Sequence, residues 1–193
     1  ARSVGACAGF DLAHAAGNLR MHLHDWNVDF ATWCGYKYLN SGPGAVAGAF
    51  IHERHHAEKL PRLAGWWGHD KVDRFKMEPE FKPMLSAEAW QISNAPVFPM
   101  AVHRASLDIF DEAGMDRLRA KSIALTTYLA SVIESVSKEC GVRLEIVTPS
   151  DPEQRGCQLS IISHDRGKSL FDALTSRGVL LDWREPNVMR MAP

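Results

Sequence analysis

Lys37 stands between Tyr36 and Tyr38 in the stretch ATWCGYKYLNSGPGAVAGAF, residues 31–50, with small residues around it and a Gly42-Pro43-Gly44 turn just beyond. A lysine kept only for solubility lays its stem along apolar surface and leaves its amine in water. Here the aromatic and small neighbours would desolvate the amine and lower its pKa, which makes it a usable nucleophile toward an aldehyde. Asp11 closes an apolar run in GFDLAHAAGN. It reads either as a helix cap or as a carboxylate withdrawn from water to meet a cation, because a buried unpaired charge is costly.

Three further groups could do chemistry. HERHH, residues 52–56, fits H-E-x-x-H, with His52 and His56 one helical turn apart and Glu53 as the general base of a zinc hydrolase. Glu78, Glu80 or Glu88 could add a ligand. Against this, Gly48 and Pro61 leave barely two turns of helix, and Lys59 and Arg62 stand where the extended metzincin pattern has histidine. A solvated, charged helix start is the plainer reading. Trp66 and Trp67, in GWWGHD, either pack or aim an indole N–H at a phosphate or ligand. Arg190, in the apolar NVMRMA, has a planar fork suited to a carboxylate of the protein or of a substrate. Of these options, Asp11 and Lys37 make the most coherent pair. An aspartate that pairs with a protonated ring nitrogen and a lysine that holds an aldehyde are the two ends of a pyridoxal phosphate site.

Such a pair has to be carried by neighbouring buried strands, and the apolar patterning supplies them. VGACAGFDLA, VDFATWCGYKYL and AVAGAFIH are short apolar runs with little alternation, as in a mainly parallel sheet buried on both faces. Residues 61–98 are broken by Pro61, Gly65, Gly68, Pro79, Pro83 and Pro96, which predicts loops and short turns. A helix starting near Pro99 carries Met100, His103, Leu107 and Phe110 on one face. A second, from Met115 to Cys140, is closed by Gly141. VRLEIV and CQLSIIS then read as strands, GKSLFDALTSRG as a helix, and VLLDW and NVMRMA as strands. The expected organisation is α/β throughout, with a large-domain part over residues 1–98 and a smaller α/β domain over 99–193.

Bulk properties narrow the class. A net charge of −1 provides no basic field for nucleic acid or anionic lipid. No apolar run approaches the roughly 20 residues that span a bilayer, and no signal-peptide pattern opens the chain. Cys7, Cys34, Cys140 and Cys157 are scattered, as reduced thiols of a cytoplasmic protein would be. A start at Ala1 and a stop after NVMRMAP suggest a piece of a longer polypeptide.

The words GFDLAHAAGN, LHDWNVDFATWCGYKYLNSGPG, AGAFIHERH, ISNAP, QRGCQLSI and RMAP together resemble kynureninase, from about Val4 to Pro193 and most densely before residue 60. The resemblance implies a pyridoxal-phosphate enzyme of fold type I that hydrolyses L-kynurenine or its 3-hydroxy form to the anthranilate and L-alanine. Tryptophan catabolism and NAD biosynthesis are its implied setting, and a homodimer its implied assembly. It assigns Lys37 to the cofactor aldehyde, Asp11 to the pyridinium nitrogen, His14 to the cofactor site and Tyr36 to the phosphate. Trp66 and Asn94 fall at phosphate- and substrate-side positions that reach across the dimer interface. Ser93 and Asn94 would line the aromatic pocket, and Arg190 would hold the substrate's α-carboxylate. Asn27 and Pro43 stand where the family commonly has glycine. Kynureninases are longer at the N-terminal side and continue beyond RMAP. Three alternatives accompany this reading: the zinc hydrolase on His52 and His56, a cysteine desulfurase, which needs a mobile loop cysteine that Cys157, in a predicted strand, is poorly placed to be, and a non-catalytic fragment that binds pyridoxal phosphate.

Overall fold

Three short strands, each ended by a turn the sequence demands, organise the first part of the chain. The computed structural model describes residues 1–193, and the chain divides into two units, Ala1–Ala113 and Gly114–Pro193. In the first, β1 (Gly9–Asp11), β2 (Phe30–Cys34) and β3 (Ala47–Ile51) form one sheet in the order β1-β2-β3. β1 and β2 are parallel, with Asp11 opposite Thr32, whereas β2 and β3 are antiparallel, with Trp33 opposite Gly48. β2 stops at Cys34, so Lys37 lies in the turn that follows.

The sheet is therefore mixed within this chain, where the apolar runs predict mainly parallel pairing. Its burial also differs from that expectation. All three residues of β1 are exposed. Phe10 on one face and Phe30 on the other remain 50% and 45% exposed. Strand composition reports what a surface is fit to meet, and within this chain these two rings are only half covered.

Asp29, just before β2, ties the sheet ends together. It is buried, accepts from the Ala8 amide at 2.7 Å and from His55 Nε2 at 2.8 Å, and pairs with Arg54. The Ala8 bond first, then Arg54 and His55, hold its carboxyl well below the usual carboxylate range. Asn27 adopts φ +57°, the left-handed region that asparagine tolerates.

Residues 52–96 are loops with single turns of 3-10 helix at Glu53–His55, Arg74–Lys76 and Ala87–Trp90. Helix α1 (Val97–Ala113) follows, with Pro99 inside its first turn. Residue 99 marks the domain change in the sequence-based division, whereas the two units separate at 113/114. The reason is local: α1 bonds through Ser106 to the Leu39 carbonyl and through His103 to Ser41, so it counts with the first unit.

The second unit opens with α2 (Met115–Cys140), closed by Gly141 at φ +63°, whose amide donates to the Ser137 carbonyl. β4 (Leu144–Ile146), β5 (Leu159–Ser163), β6 (Asp182–Arg184) and β7 (Val188–Met191) form an antiparallel sheet in the order β4-β5-β7-β6, and α3 (Lys168–Ser176) lies between β5 and β6 in the chain. β5 alternates fully and partly buried residues, as the period of two requires. Its Leu159 and Ile161 meet Ile133 of α2 and Met189 of β7 in the core, with Phe171 and Trp183 against them. No helix is long and apolar enough to cross a membrane.

Candidate functional site

Parallel neighbours send their C-terminal ends out of the same sheet edge, and ligands of α/β sheets bind beyond such ends. Asp11 is the last residue of β1, and Lys37 lies three residues past the end of β2. The Leu12 amide still donates to the Thr32 carbonyl, at 2.8 Å, so the two chains leave the sheet side by side. Asp11 Oδ1 accepts from the Ala13 amide at 2.9 Å, the cap role read from its residue type, and Oδ2 has no protein partner. The carboxylate is exposed in this chain, a correction to the buried group expected from the apolar run, because nothing in the chain covers the end of β1.

Lys37 is half-buried, with Nζ 5.7 Å from the centroid of the Tyr36 ring. The Tyr36 ring itself is exposed. His14 packs edge-on against Tyr38, with centroids 6.0 Å apart, and so joins the turn after β1 to the turn after β2. The fit between these turns depends on Gly17, which has φ +80° and sits so close that a Cβ would fall 2.7 Å from the Tyr38 carbonyl. Asp11, His14, Tyr36 and Lys37 thus gather at one edge. They comprise a carboxylate, an imidazole, a phenol and an amine, a donor set suited to an aromatic aldehyde with a basic ring nitrogen and an anionic tail.

Trp66, Ser93 and Asn94 form a second group in the same unit. A Cβ on Gly65 would fall 2.3 Å from the Ile92 Cα, so the Trp66 loop lies directly against the segment entering Ser93. Trp66 packs edge-on with Phe75 at 5.3 Å. Trp66, Ser93 and Asn94 are all exposed, and none makes a hydrogen bond to the Lys37 turn. Trp67 instead takes the Arg74 guanidinium over its ring at 4.7 Å, a packing role. Arg190 lies in β7 of the second unit, where Nε donates to Asp182 Oδ2 at 2.6 Å. The carboxylate partner that an arginine in an apolar strand requires is therefore present within the protein.

The His52-Glu53-x-x-His56 pattern does not form a metal-binding helix. Glu53–His55 is a three-residue 3-10 turn, and His52 is its cap, accepting from the Arg54 amide. The His56 Nε2 is engaged by the Ile51 carbonyl at 3.1 Å, while His52 stacks on His24 at 4.9 Å. Burial and the Arg54 charge push the His52 imidazole below its ordinary pKa, whereas the Glu53 hydrogen bond raises that of His24. No three His, Cys, Asp or Glu side chains are grouped to hold a metal ion.

The sequence reading missed what grips the Lys37 turn. Ser41 is 2% exposed, with Oγ 2.7 Å from His103 Nδ1, and Ser106 donates to the Leu39 carbonyl. One signal was available, a histidine at helical spacing on the otherwise apolar face of α1.

Residues 118–193 match the kynureninase C-terminal domain family. The chain is 56% identical over 193 residues to the kynureninase of Flavobacterium johnsoniae, covering all of this chain and 45% of that one. It is 56% identical over 197 residues to that of Stenotrophomonas maltophilia, covering all of this chain and 46% of the relative. The chain thus spans less than half the length of these relatives. Among solved structures, it is similar to the cysteine desulfurase CsdA of Escherichia coli, with TM-score 0.73 and 15% identity over 100% of this chain and 48% of that one. It is also similar to a C-DES mutant with glycine covalently linked to its PLP cofactor, with TM-score 0.72 and 18% identity over 92% and 44%. At such identities the likeness is one of fold, and that fold is the fold type I arrangement expected from the sequence.

Proposed function

We propose that the whole protein is a member of the kynureninase family, binds pyridoxal 5'-phosphate and hydrolyses the Cβ–Cγ bond of L-kynurenine or its 3-hydroxy form. The products are the anthranilate and L-alanine. The observation that carries this is the parallel pairing of β1 and β2, which brings the Asp11 carboxylate and the Lys37 amine out of one sheet edge. The names of the relatives and the cofactor of the C-DES structure support it.

When bound, pyridoxal phosphate supplies an aldehyde that condenses with amines and a ring that takes up the electrons released at the neighbouring carbon. The Asp11 carboxylate would hold the proton on the ring nitrogen. Lys37 Nζ would hold the cofactor at its aldehyde and serve as the base for the substrate's α-proton. Tyr36 would orient the phosphate through its hydroxyl, and its place in the same turn as Lys37 makes it the candidate to assist proton transfer. His14 supports the cofactor from the turn after β1. One water enters per cleavage: its oxygen goes to the γ-carbonyl carbon and its protons balance the two products.

Trp66, Ser93 and Asn94 belong to the same proposal as groups that serve the site across a homodimer interface. Phe75 and Leu85, 79% and 76% exposed on that side of the unit, are the kind of surface a second copy would cover. Arg190 is assigned to the substrate's α-carboxylate, which then competes with Asp182 for its fork. A cytoplasmic place in tryptophan catabolism leading to NAD follows from the same activity.

Incubating the purified protein with pyridoxal phosphate and L-kynurenine tests the reading, with anthranilate followed by its fluorescence and alanine by chromatography. Equal amounts of both products, abolished by Lys37→Ala, are expected. Cofactor binding without product would favour the non-catalytic alternative.

A further inference from the structure

A catalytic lysine must do more than exist at the right sequence position. It has to hold one carbon and then reach one proton, and displacements well under an ångström matter for both. Side chains anchored in a turn inherit the precision of that turn's backbone. The Lys37 turn contains no helix or strand hydrogen bonds of its own. Its internal backbone bonds are two, the Asn40 amide to the Lys37 carbonyl at 2.9 Å and the Ser41 amide to the Gly35 carbonyl at 3.1 Å.

Helix α1 supplies what the turn lacks. His103 and Ser106 are three residues apart, so both project from one face of the helix. Ser106, itself buried, donates to the Leu39 carbonyl, two residues after the lysine. His103 Nδ1 lies 2.7 Å from Ser41 Oγ, four residues after it. Ser41 Oγ is also 3.4 Å from the Leu39 carbonyl, which Ser106 already serves at closer range. The shorter contact is therefore the better use of the Ser41 hydrogen in the tautomer that leaves Nδ1 unprotonated. Opposite this grip, Gly17 presses on the Tyr38 backbone. Gly35 admits the Val46 carbonyl so closely that a Cβ would fall 2.5 Å from it, with His103 Nδ1 at 3.5 Å from the same point. The backbone on both sides of Lys37 is thus held from three directions. The helical side is the one that uses hydrogen bonds between polar side chains and the turn.

We infer that His103 and Ser106 are positioning residues for Lys37, fixing the turn from which its amine reaches the cofactor aldehyde through Ser41 and the Leu39 carbonyl. This rests on Lys37 being the residue that holds the aldehyde. Neither residue touches substrate or cofactor in this scheme. Helix α1 thereby takes part in setting the geometry of the site.

The test is the rate at which Lys37 is trapped by pyridoxal phosphate and borohydride, mapped by peptide mass spectrometry and compared in the same sample with Lys59, which is exposed and lies outside the turn, in the loop after β3. His103→Ala and Ser106→Ala should each lower the Lys37-to-Lys59 labelling ratio about fivefold, the scale of one lost hydrogen bond. His103→Asn, whose amide oxygen can accept from Ser41, should restore most of it. A ratio unchanged in His103→Ala and Ser106→Ala overturns the inference. So does a fall that appears only together with loss of the native circular dichroism spectrum, which marks loss of fold alone. If His103→Ala fails to fold, Ser106→Ala decides. Absence of any preference for Lys37 in the unsubstituted protein overturns the assignment of the lysine, and the positioning role with it.

Discussion

Lys37 and Asp11 could be picked out of the sequence because their residue types, in apolar surroundings, have few other uses. Their neighbours on the chain predict the chemistry, but not the environment. Asp11 stands open at the end of β1, with one oxygen engaged by the Ala13 amide. Tyr36 shares the turn with Lys37, and its ring faces the amine at 5.7 Å. Tyr36→Phe should lower turnover or cofactor affinity while leaving Lys37 able to be labelled. Unchanged values in steady-state kinetics and cofactor titration would remove the hydroxyl from the mechanism. A second residue-scale consequence lies at Asp73, buried between Lys76 and Lys82, whose hydrogen bonds push its carboxyl down to about 2. Because the folded value is depressed, the stabilisation is fully present above the ordinary value near 3.8 and is lost as pH falls toward 2. Acid titration of the unfolding midpoint should therefore show a loss in that window that is smaller in Asp73→Asn, the remainder coming from Asp29, which is depressed as well.

At the scale of elements, helices were the most legible and sheet surroundings the least. The span of α2 and its terminal glycine follow from local rules, a 3.6-residue apolar period and a left-handed cap, and the structure agrees with both. The strands formed where apolar runs predicted them, yet their pairing and burial depend on partners that a local pattern does not contain. That is why β3 runs antiparallel and β1 is exposed. The H-E-x-x-H pattern failed for a related reason. It presumes an α-helix, and the chain instead makes a single 3-10 turn held by Asp29 through Arg54 and His55. Turn geometry, by contrast, gives a sharp prediction at Gly17. Gly17→Ala must adopt φ +80° and push against the Tyr38 carbonyl, so it should destabilise the first unit by about 1–3 kcal/mol in denaturant titration. It should also reduce trapping of Lys37 more than trapping of Lys59. A neutral effect on both would mean that the turns after β1 and β2 are not mutually fitted.

On the scale of the whole molecule, two units each carry part of the predicted site. Asp11, His14, Tyr36 and Lys37 meet at one edge of the first unit, Trp66, Ser93 and Asn94 gather elsewhere in it, and Arg190 belongs to the second. Family resemblance suggests these positions from sequence words, whereas the residues that grip the Lys37 turn, Ser41, His103 and Ser106, carry no such words. They are ordinary polar side chains made specific only by the fold. The central claim is that this edge holds pyridoxal phosphate through Lys37, and one measurement addresses it directly. Pyridoxal phosphate is added to the purified protein, reduced with borohydride, and the modified peptide is mapped by mass spectrometry. The account predicts a pyridoxyl group on Lys37 alone. Label on a different lysine, or spread over the exposed ones, would contradict it.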